Sequence, residues 1–436
     1  MKRREFIRQT ALGAASLWLA GCRTAPRKVS ANEKLNIGVI GVANQGNYDM
    51  TNVAGENIVA LCDVDETFLA KAKQKFPGAT SYNDFRRLLD QKDIDAVVIA
   101  TPDHTHAVCT AAALRSGRHV YCEKPLTRTI SECRVVTELA RKHKLITQIG
   151  TQIHSGENYH RVVDLIQQGT IGAVNEVHVW VNSTYGGNDM PKDRPPVPSG
   201  LHYDLWLGPV PEVPYHPEYV PFKWRHWWAF GGGALADLGC HYMDLPHWAL
   251  NLSAPLRAEV IAGSPVHRDS TPPWLVVRYE HPASNATRGT NVDDPQRAPL
   301  KLTWYHGGKR PSLLPAALAE KWGSGVLFMG EKGVLLADYT RHVVLREPDF
   351  KDYVSPPAIN SDFTEHHRDW IRAVKSGKPS ASDFAYSGRL TEAVLLGNVA
   401  YRVGGKIEWD SKNLRARNRP EADEFIQHHY RKGWQL

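Results

Sequence analysis

The sequence predicts an α/β protein in which a doubly wound parallel sheet, residues 34–152, is followed by a second domain, 153–436, that mixes strands and helices. Three observations predict it. Apolar strand-like runs alternate with helix-like runs from Leu35 to Ile149, the pattern of parallel strands joined by crossover helices. The turn after the first strand is glycine-rich, and an acidic residue closes the second strand. Beyond residue 152 the alternation gives way to a period-two strand and long connections. A hydrophobic content of 42 % over 436 residues supports two cores.

Residues 35–40 form the first strand. Gly41-Val42-Ala43-Asn44-Gln45-Gly46 then opens a helix, the pattern G-x-G-x-x-G with alanine at its middle position. A glycine turn there lets the backbone approach a pyrophosphate, which rests on the helix N-terminus. The second strand, 58–62, ends in Asp63, placed to accept hydrogen bonds from adenosine ribose hydroxyls. A carboxylate repels a 2′-phosphate, and Asp63-Val64-Asp65-Glu66 brings no arginine, so the pattern selects NAD over NADP. Helix-like runs at 66–75 and 82–89 precede a strand at 96–100. Helix 105–116, strand 119–122, helix 131–142 and strand 146–149 follow. Gly41, Asp63, Thr101 and Lys124 all fall at the carboxyl ends of strands, where sheets of this kind bind ligands.

In the second domain, residues 159–168 read as a helix ended by Gly169. Residues 174–183 read as a half-buried strand: Val177, Val179 and Val181 alternate with a polar face of Glu176, His178, Trp180 and Asn182. Residues 186–225 are rich in proline and aromatics, including Trp206, Tyr215, Tyr219 and Trp224, and read as an ordered loop rimming a pocket. Flat rings with polar tips suit sugar faces and serve equally in plain packing. Further strands are expected within 256–310, interrupted by a polar surface excursion at 281–296, and at 302–305 and 334–338. Helices are expected at 363–374 and 387–401, the second buried through Leu390, Val394, Leu395 and Val399. His366 and His367 read as surface or core residues. The tail, 418–436, is expected to pack across a neighbour or a sheet edge.

The stretch richest in chemistry is 226–250. Trp227 and Trp228 stand before three glycines, Gly231 to Gly233, and a helical run follows. Asp237 and His241, four apart, share one helical face, and Asp244 is expected on the same side. A carboxylate and an imidazole beside aromatics suit a polar substrate pocket. Metal binding by Asp237, His241, Asp244 and His247 is the rival reading. His247, six residues after His241, falls off that face, so no metal is expected.

The chain's start reads as an address. Lys2-Arg3-Arg4 carries the twin-arginine pattern, residues 10–20 are apolar and too short to span a bilayer, and Leu19-Ala20-Gly21-Cys22 resembles a lipobox. Residues 1–22 are thus expected to be a signal for a periplasmic or membrane-anchored lipoprotein held through Cys22, with 23–33 as a tether. Removing residues 1–21 takes the formal charge from +7 to +4, a mildly basic protein with no basic stripe and no expected nucleic-acid partner. The other cysteines, 62, 109, 122, 133 and 240, show no C-x-x-C spacing, so neither a disulfide framework nor a cysteine zinc site is expected.

These motifs together resemble the glucose–fructose oxidoreductase/inositol dehydrogenase (Gfo/Idh/MocA) family, from Leu35 to the end of the chain. The resemblance rests on Gly41-x-Ala43-x-x-Gly46, Asp63, Thr101-Pro102-Asp103-x-x-His106, Glu123-Lys124-Pro125, Gly150-Thr151-Gln152 and Asp237-Leu238-Gly239-Cys240-His241. It implies a Rossmann domain beside a second domain with an open, mostly antiparallel sheet, and a homo-oligomer. It implies Lys124 near the nicotinamide and the reacting carbon, with Asp237 and His241 as the D-x-x-x-H whose histidine is the acid–base. Thr101, Pro102, His106, Glu123 and Gln152 would line the nicotinamide half. With Asn44, Gln45 and His104 these complete the expected cofactor site, and Tyr185, Trp227 and Trp228 are expected to join Asp237 and His241 around substrate.

Oxidising an alcohol needs a nicotinamide, a base for the hydroxyl proton and a group that steadies the alkoxide. His241, Asp237 as its orienter and Lys124 match those roles. The expected function is hydride transfer between a sugar or polyol hydroxyl and a tightly retained NAD. Outside the cytoplasm no dehydrogenase partner recycles free NAD, so a redox-neutral use fits export. One such use is sugar-to-sugar transfer. Another is glycoside cleavage by transient oxidation, elimination and re-reduction, an exception to two-carboxylate hydrolysis. The family's N-acetylgalactosaminidase branch lacks the lysine that this chain keeps as Lys124. A non-catalytic sugar-binding protein is the third reading; Lys124, Asp237 and His241 speak against it.

Overall fold

Strands β1 (Asn36–Ile40), β2 (Asn57–Cys62), β4 (Ala96–Ile99) and β5 (His119–Glu123) are short apolar runs, and β4 and β5 are buried throughout. Such runs bury the side chains of both faces only in a sheet covered on both sides. With β3 (Thr80–Tyr82) and β6 (Thr147–Gly150) they form a parallel sheet in the order β3-β2-β1-β4-β5-β6. The computed structural model from which these elements are read describes residues 30, 32–283, 299–314, 316–345 and 363–436. Cys22, the signal segment and most of the tether lie outside the described residues, as does all but the start of the 281–296 excursion.

Helices α1 (Gln45–Asn52), α2 (Glu66–Lys75), α3 (Phe85–Asp90), α4 (Asp103–Arg115) and α5 (Ile130–His143) make the crossovers. Asp65 and Asp84 cap α2 and α3 through their carboxylates, and Thr129 with Glu132 forms a capping box on α5. The expected helix at 82–89 is therefore shorter. Thr80–Tyr82 pairs with β2 as an edge strand, and α3 starts only after the Asp84 cap.

After α6 (Glu157–Gln167) the second sheet begins with β7 (Val174–Trp180). It continues through β8 (Arg257–Gly263), β9 (Leu275–His281), β10 (Leu300–His306), β11 (Gly325–Gly330), β12 (Gly333–Ala337), β13 (His342–Leu345), β14 (Lys406–Asp410) and β15 (Arg415–Ala416). Its order is β13-β12-β11-β7-β10-β9-β8-β14-β15, antiparallel except where β10 runs parallel to β7. The open, mostly antiparallel sheet is thus present. Two details differ from the sequence reading. The polar face of β7 is not open, because His178 and Trp180 are buried, Trp180 in a small core with Leu314, Leu318, Trp322 and Leu327. His281, expected to open a surface loop, is the buried last residue of β9 and donates from Nδ1 to the Ser253 carbonyl oxygen at 2.8 Å.

Three further helices hold the two layers together: α8 (Gly233–Tyr242), α11 (Glu365–Ser376) and α12 (Phe384–Arg402), with α9 (Asp244–Ala249) following α8; residue 316 opens a short α10 (Ala316–Lys321) and Tyr203–Leu207 forms α7. α12 is buried along most of its length. On one side Gly388 lies against Thr137 of α5; on the other Val394 packs on Gly239 of α8. This packing fixes α8, and therefore Asp237, against the first domain. His366 and His367 are core residues. His366 meets the Ile149 carbonyl oxygen at 2.7 Å, and His367 meets Asp49 at 3.0 Å. Among the described residues no helix is long and apolar enough to cross a membrane.

Candidate active site

The carboxyl ends of β1, β2, β4 and β5 open into a cleft of about 520 Å³, within the usual size of a cofactor or ligand site. Its first part is the glycine turn. Gly41 has φ +85°, and a Cβ there would sit 2.6 Å from the Ala100 carbonyl oxygen. A Cβ on Gly46 would overlap the Gly41 carbonyl oxygen. Both positions therefore demand glycine, and they let Ala43, Asn44 and Gln45 line the cleft at the start of α1, where no side-chain cap covers the helix end. Alanine at the middle position leaves the turn intact. Gly46 itself lies behind the turn rather than in the cleft wall.

Asp63 stands at the end of β2. Its Oδ2 accepts from the Val42 N–H and its Oδ1 from the Asp65 N–H, both at 3.0 Å. Burial pushes its carboxyl up to about 6. Asp65, Asp84 and Asn83 surround it in the cleft wall. This end is acidic, suits ribose hydroxyls and opposes a 2′-phosphate. The glycine cradle and Asp63 fit NAD.

Farther along, Thr101, Pro102, Asp103, Glu123 and Lys124 line the same cleft. Besides Gly46, three expected cofactor residues do not. His106 is buried behind them, with ring nitrogens 2.7 Å from the Pro125 and Thr101 carbonyl oxygens, so it clips the two loops together. His104 turns away, its Nε2 2.7 Å from the Trp206 carbonyl oxygen and its ring against Phe230. Gln152 donates from Nε2 to Glu123 Oε1 and Tyr121 Oη, and so orients Glu123 from outside the cleft.

The end of the cleft away from Asp63 is organised by Asp237, 7 % exposed. Its Oδ1 accepts from Lys124 Nζ at 2.6 Å and from Arg225 Nε at 3.0 Å; its Oδ2 accepts from the Tyr185 hydroxyl at 2.9 Å. Lys124 also donates to the Asp237 carbonyl oxygen at 3.1 Å. Burial pushes the Asp237 carboxyl up, but Lys124 and Arg225 outweigh it and hold the group well below the usual carboxylate range. Burial first, then Asp237, pushes the Tyr185 hydroxyl up, so it stays a donor.

His241 follows Asp237 by one turn of α8 as its spacing requires, yet it is not among the side chains that line the cleft. Its Nδ1 is buried without a hydrogen-bond partner. Burial and then Lys124 push its ring down to about 3, which keeps it neutral. Asp244 is not on the face of Asp237. The helix is interrupted at Met243, and Asp244 starts α9, where it accepts from the Tyr386 hydroxyl at 2.6 Å and meets His154 Nδ1 at 2.9 Å. His247 meets the Met243 carbonyl oxygen at 2.8 Å, and among the described residues no three His, Cys, Asp or Glu side chains converge as metal ligands do.

Trp227 and Trp228, expected around substrate, do not line the cleft. They are 2 % and 7 % exposed, and their indole N–H groups donate to the Glu218 and His267 carbonyl oxygens. Trp227 belongs to a separate small core with Trp206, Tyr219, Trp224 and Phe230. The aromatic loop thus packs largely on itself and offers the cleft Trp206, Phe222, Trp224 and His226.

The sequence reading missed three residues. Arg225 completes the ion-pair cluster on Asp237; a lone arginine in a loop gave no periodic signal. Asp103 lines the cleft at 2 % exposure with Oδ1 unpartnered, and burial pushes it up to about 7 against the pull of Arg225. It stands inside the Thr101-Pro102-Asp103-x-x-His106 motif but was given no site role there. Trp434, from the tail, lines the Asp63 end of the cleft beside Phe85.

Comparison with known proteins agrees with this architecture. Residues 35–151 match the Gfo/Idh/MocA oxidoreductase family, NAD-binding Rossmann fold, and residues 164–296 match the same family's C-terminal alpha/beta domain. Inositol 2-dehydrogenase of Salmonella typhimurium is 30 % identical over 223 residues, 50 % of this chain and 55 % of that protein. A glycosyl hydrolase family 109 protein of Shewanella pealeana is 26 % identical over 200 residues, 39 % of this chain and 44 % of that one. The chain thus matches about half the length of these curated relatives. The WlbA dehydrogenase from Bordetella pertussis, solved with NADH and UDP-GlcNAcA, shares the fold at a TM-score of 0.61 and 16 % identity, over 88 % of this chain and 99 % of that one. By its two matched domains and its cofactor cleft, this chain belongs to the Gfo/Idh/MocA family of oxidoreductases.

Proposed function

We propose that the protein is an NAD-dependent oxidoreductase acting on a hydroxyl of a sugar or polyol. The observation that carries this reading is the cluster of Lys124, Arg225 and Tyr185 on the buried Asp237, at one end of a cleft whose other end holds Asp63. NAD, when bound, supplies the two-electron acceptor for the carbinol carbon. The chain supplies the rest. Asp237 holds the Lys124 ammonium at a fixed point, where it stabilises negative charge developing on the substrate oxygen. The other Arg225 N–H groups donate to neighbouring hydroxyls, and the Tyr185 oxygen, whose hydrogen goes to Asp237, accepts from one. His241, neutral and one turn from Asp237, is the proposed acceptor of the hydroxyl proton; substrate must bring its unpartnered Nδ1 into use. Asp103 is the second group able to hold that proton near neutral pH.

The inositol 2-dehydrogenase relatives support a polyol substrate. The family 109 glycosyl hydrolase relative supports the second reading, redox-neutral cleavage of a glycoside with retained NAD. Export by the twin-arginine route, a lipid anchor at Cys22 and a homo-oligomeric state belong to the same proposal and rest on the sequence patterns. The test is a screen of inositols, aldoses and glycosides with and without added NAD, using wild type and Lys124→Met. Oxidation or cleavage lost in the variant supports the reading. Equal activity in both overturns the role of the cluster.

A further inference from the structure

The segment after α13 (Asp423–Ile426) turns back over the first domain. Tyr430 donates its hydroxyl to Glu132 Oε1 at 2.6 Å, and Tyr430, Trp434 and Leu436 pack against the core under the parallel sheet. Arg431 reaches the other way. Its Nε donates to the Gly208 carbonyl oxygen at 2.6 Å, its guanidinium pairs with Asp204, and its backbone N–H donates to the Pro209 carbonyl oxygen at 3.1 Å. Asp204 and Gly208 flank Leu205 and Trp206, which line the cleft from the aromatic loop. One short segment therefore ties both walls together.

Trp434 sits at the meeting point. Its ring lies 6.1 Å from Phe85, with the Arg86 guanidinium 4.8 Å from its centre, and it lines the cleft beside Asp63, Asn83 and Asp84. Phe68 and Phe85 supply further flat apolar surface there. The ribose carboxylate is adjacent, so these rings border the place where the adenine of a dinucleotide belongs.

We infer that residues 428–436 form a strap whose Trp434 walls the adenine subsite, and that the strap slows release of the dinucleotide. This rests on the NAD reading above and explains how a cofactor is retained without covalent attachment. The strap's anchors are direct hydrogen bonds on both sides, so opening it requires breaking the Arg431 and Tyr430 contacts together.

The test measures release of NADH by displacement with excess NAD, alongside equilibrium binding of ADP-ribose and of nicotinamide mononucleotide. Trp434→Ala is expected to release NADH roughly tenfold faster, as loss of one aromatic contact predicts. It is expected to weaken ADP-ribose similarly and leave nicotinamide mononucleotide unchanged. Trp434→Phe should recover most of the effect. Arg431→Ala, which removes one of the two anchors while keeping Trp434, should also release NADH faster. Unchanged release in Trp434→Ala and Arg431→Ala, with wild type binding NADH, overturns the strap and leaves the cofactor site standing. Failure of wild type to bind either NADH or ADP-ribose overturns the cofactor assignment itself.

Discussion

Removing the Asp237 carboxylate should leave two cations without their anion in a buried place. The Lys124 and Asp237 side chains are 12 % and 10 % exposed and 2.6 Å apart, and Arg225 is 3.0 Å from the same oxygen. At an effective dielectric of about 20, the Lys124 contact alone corresponds to about 6 kcal/mol of attraction. Most of that offsets desolvation, and the usual cost of removing one partner of a buried pair is about 3–5 kcal/mol. Asp237→Ala should therefore lower the stability measured by urea unfolding by about that amount. Part of the cause is the stranded Lys124 charge, so adding Lys124→Met should restore part of the loss, the Arg225 charge remaining. A double-mutant cycle over wild type, the two single variants and the double variant reads the coupling directly. A coupling below about 0.5 kcal/mol would refute the argument that Asp237 and Lys124 act as one unit. Turnover should fall in both single variants and not return in the double variant, because the ammonium is then gone.

Four other outcomes are expected. Since burial pushes Asp63 up to about 6 and its ionised form receives the ribose hydroxyls, NAD affinity should be full above that pH and weaken as pH falls through it; Asp63→Asn should flatten the dependence in calorimetric titrations. Asp103, pushed up to about 7 by burial, should give kcat/KM a limb rising through pH 7 that Asp103→Asn removes, whereas His241→Gln should lower kcat by about 10²–10⁴-fold without moving that limb. Asp49 is raised to about 8 by burial, far above its unfolded value of about 3.9, so its stabilising contribution is complete below about pH 4 and declines as pH rises towards 8. Asp49→Asn should reduce the slope of stability against pH by about 1.4 kcal/mol per unit across that window, read from urea midpoints. Gly46→Ala should abolish NAD binding, because its Cβ overlaps the Gly41 carbonyl oxygen.

The sequence carried the first domain well because its signals are local. A buried parallel strand is a run such as Ala96–Ile99, and its ligand residues sit at the next turn. The second domain was legible only in part. Strands β11, β13, β14 and β15 are short segments whose pairing is set by distant partners, so no local period marks them. The same limit governed the site. Lys124, Asp237 and Tyr185 were found, and the structure joins all three. Trp227 and Trp228 were misplaced because an aromatic pair before a glycine turn looks the same whether it packs inward or faces a cleft. The hydrogen bonds to Glu218 and His267 decided it. His106 kept its motif but serves behind the site, since its two carbonyl contacts are visible only once the Thr101 and Pro125 loops meet. Trp434 reaches Phe85 across 349 positions, a distance no sequence window spans.

The most direct measurement is on purified, dialysed protein, denatured and assayed for released nucleotide. The account predicts about one NAD or NADH per chain, present without any addition. Protein that releases none, and that shows no binding when NAD is added, would contradict it.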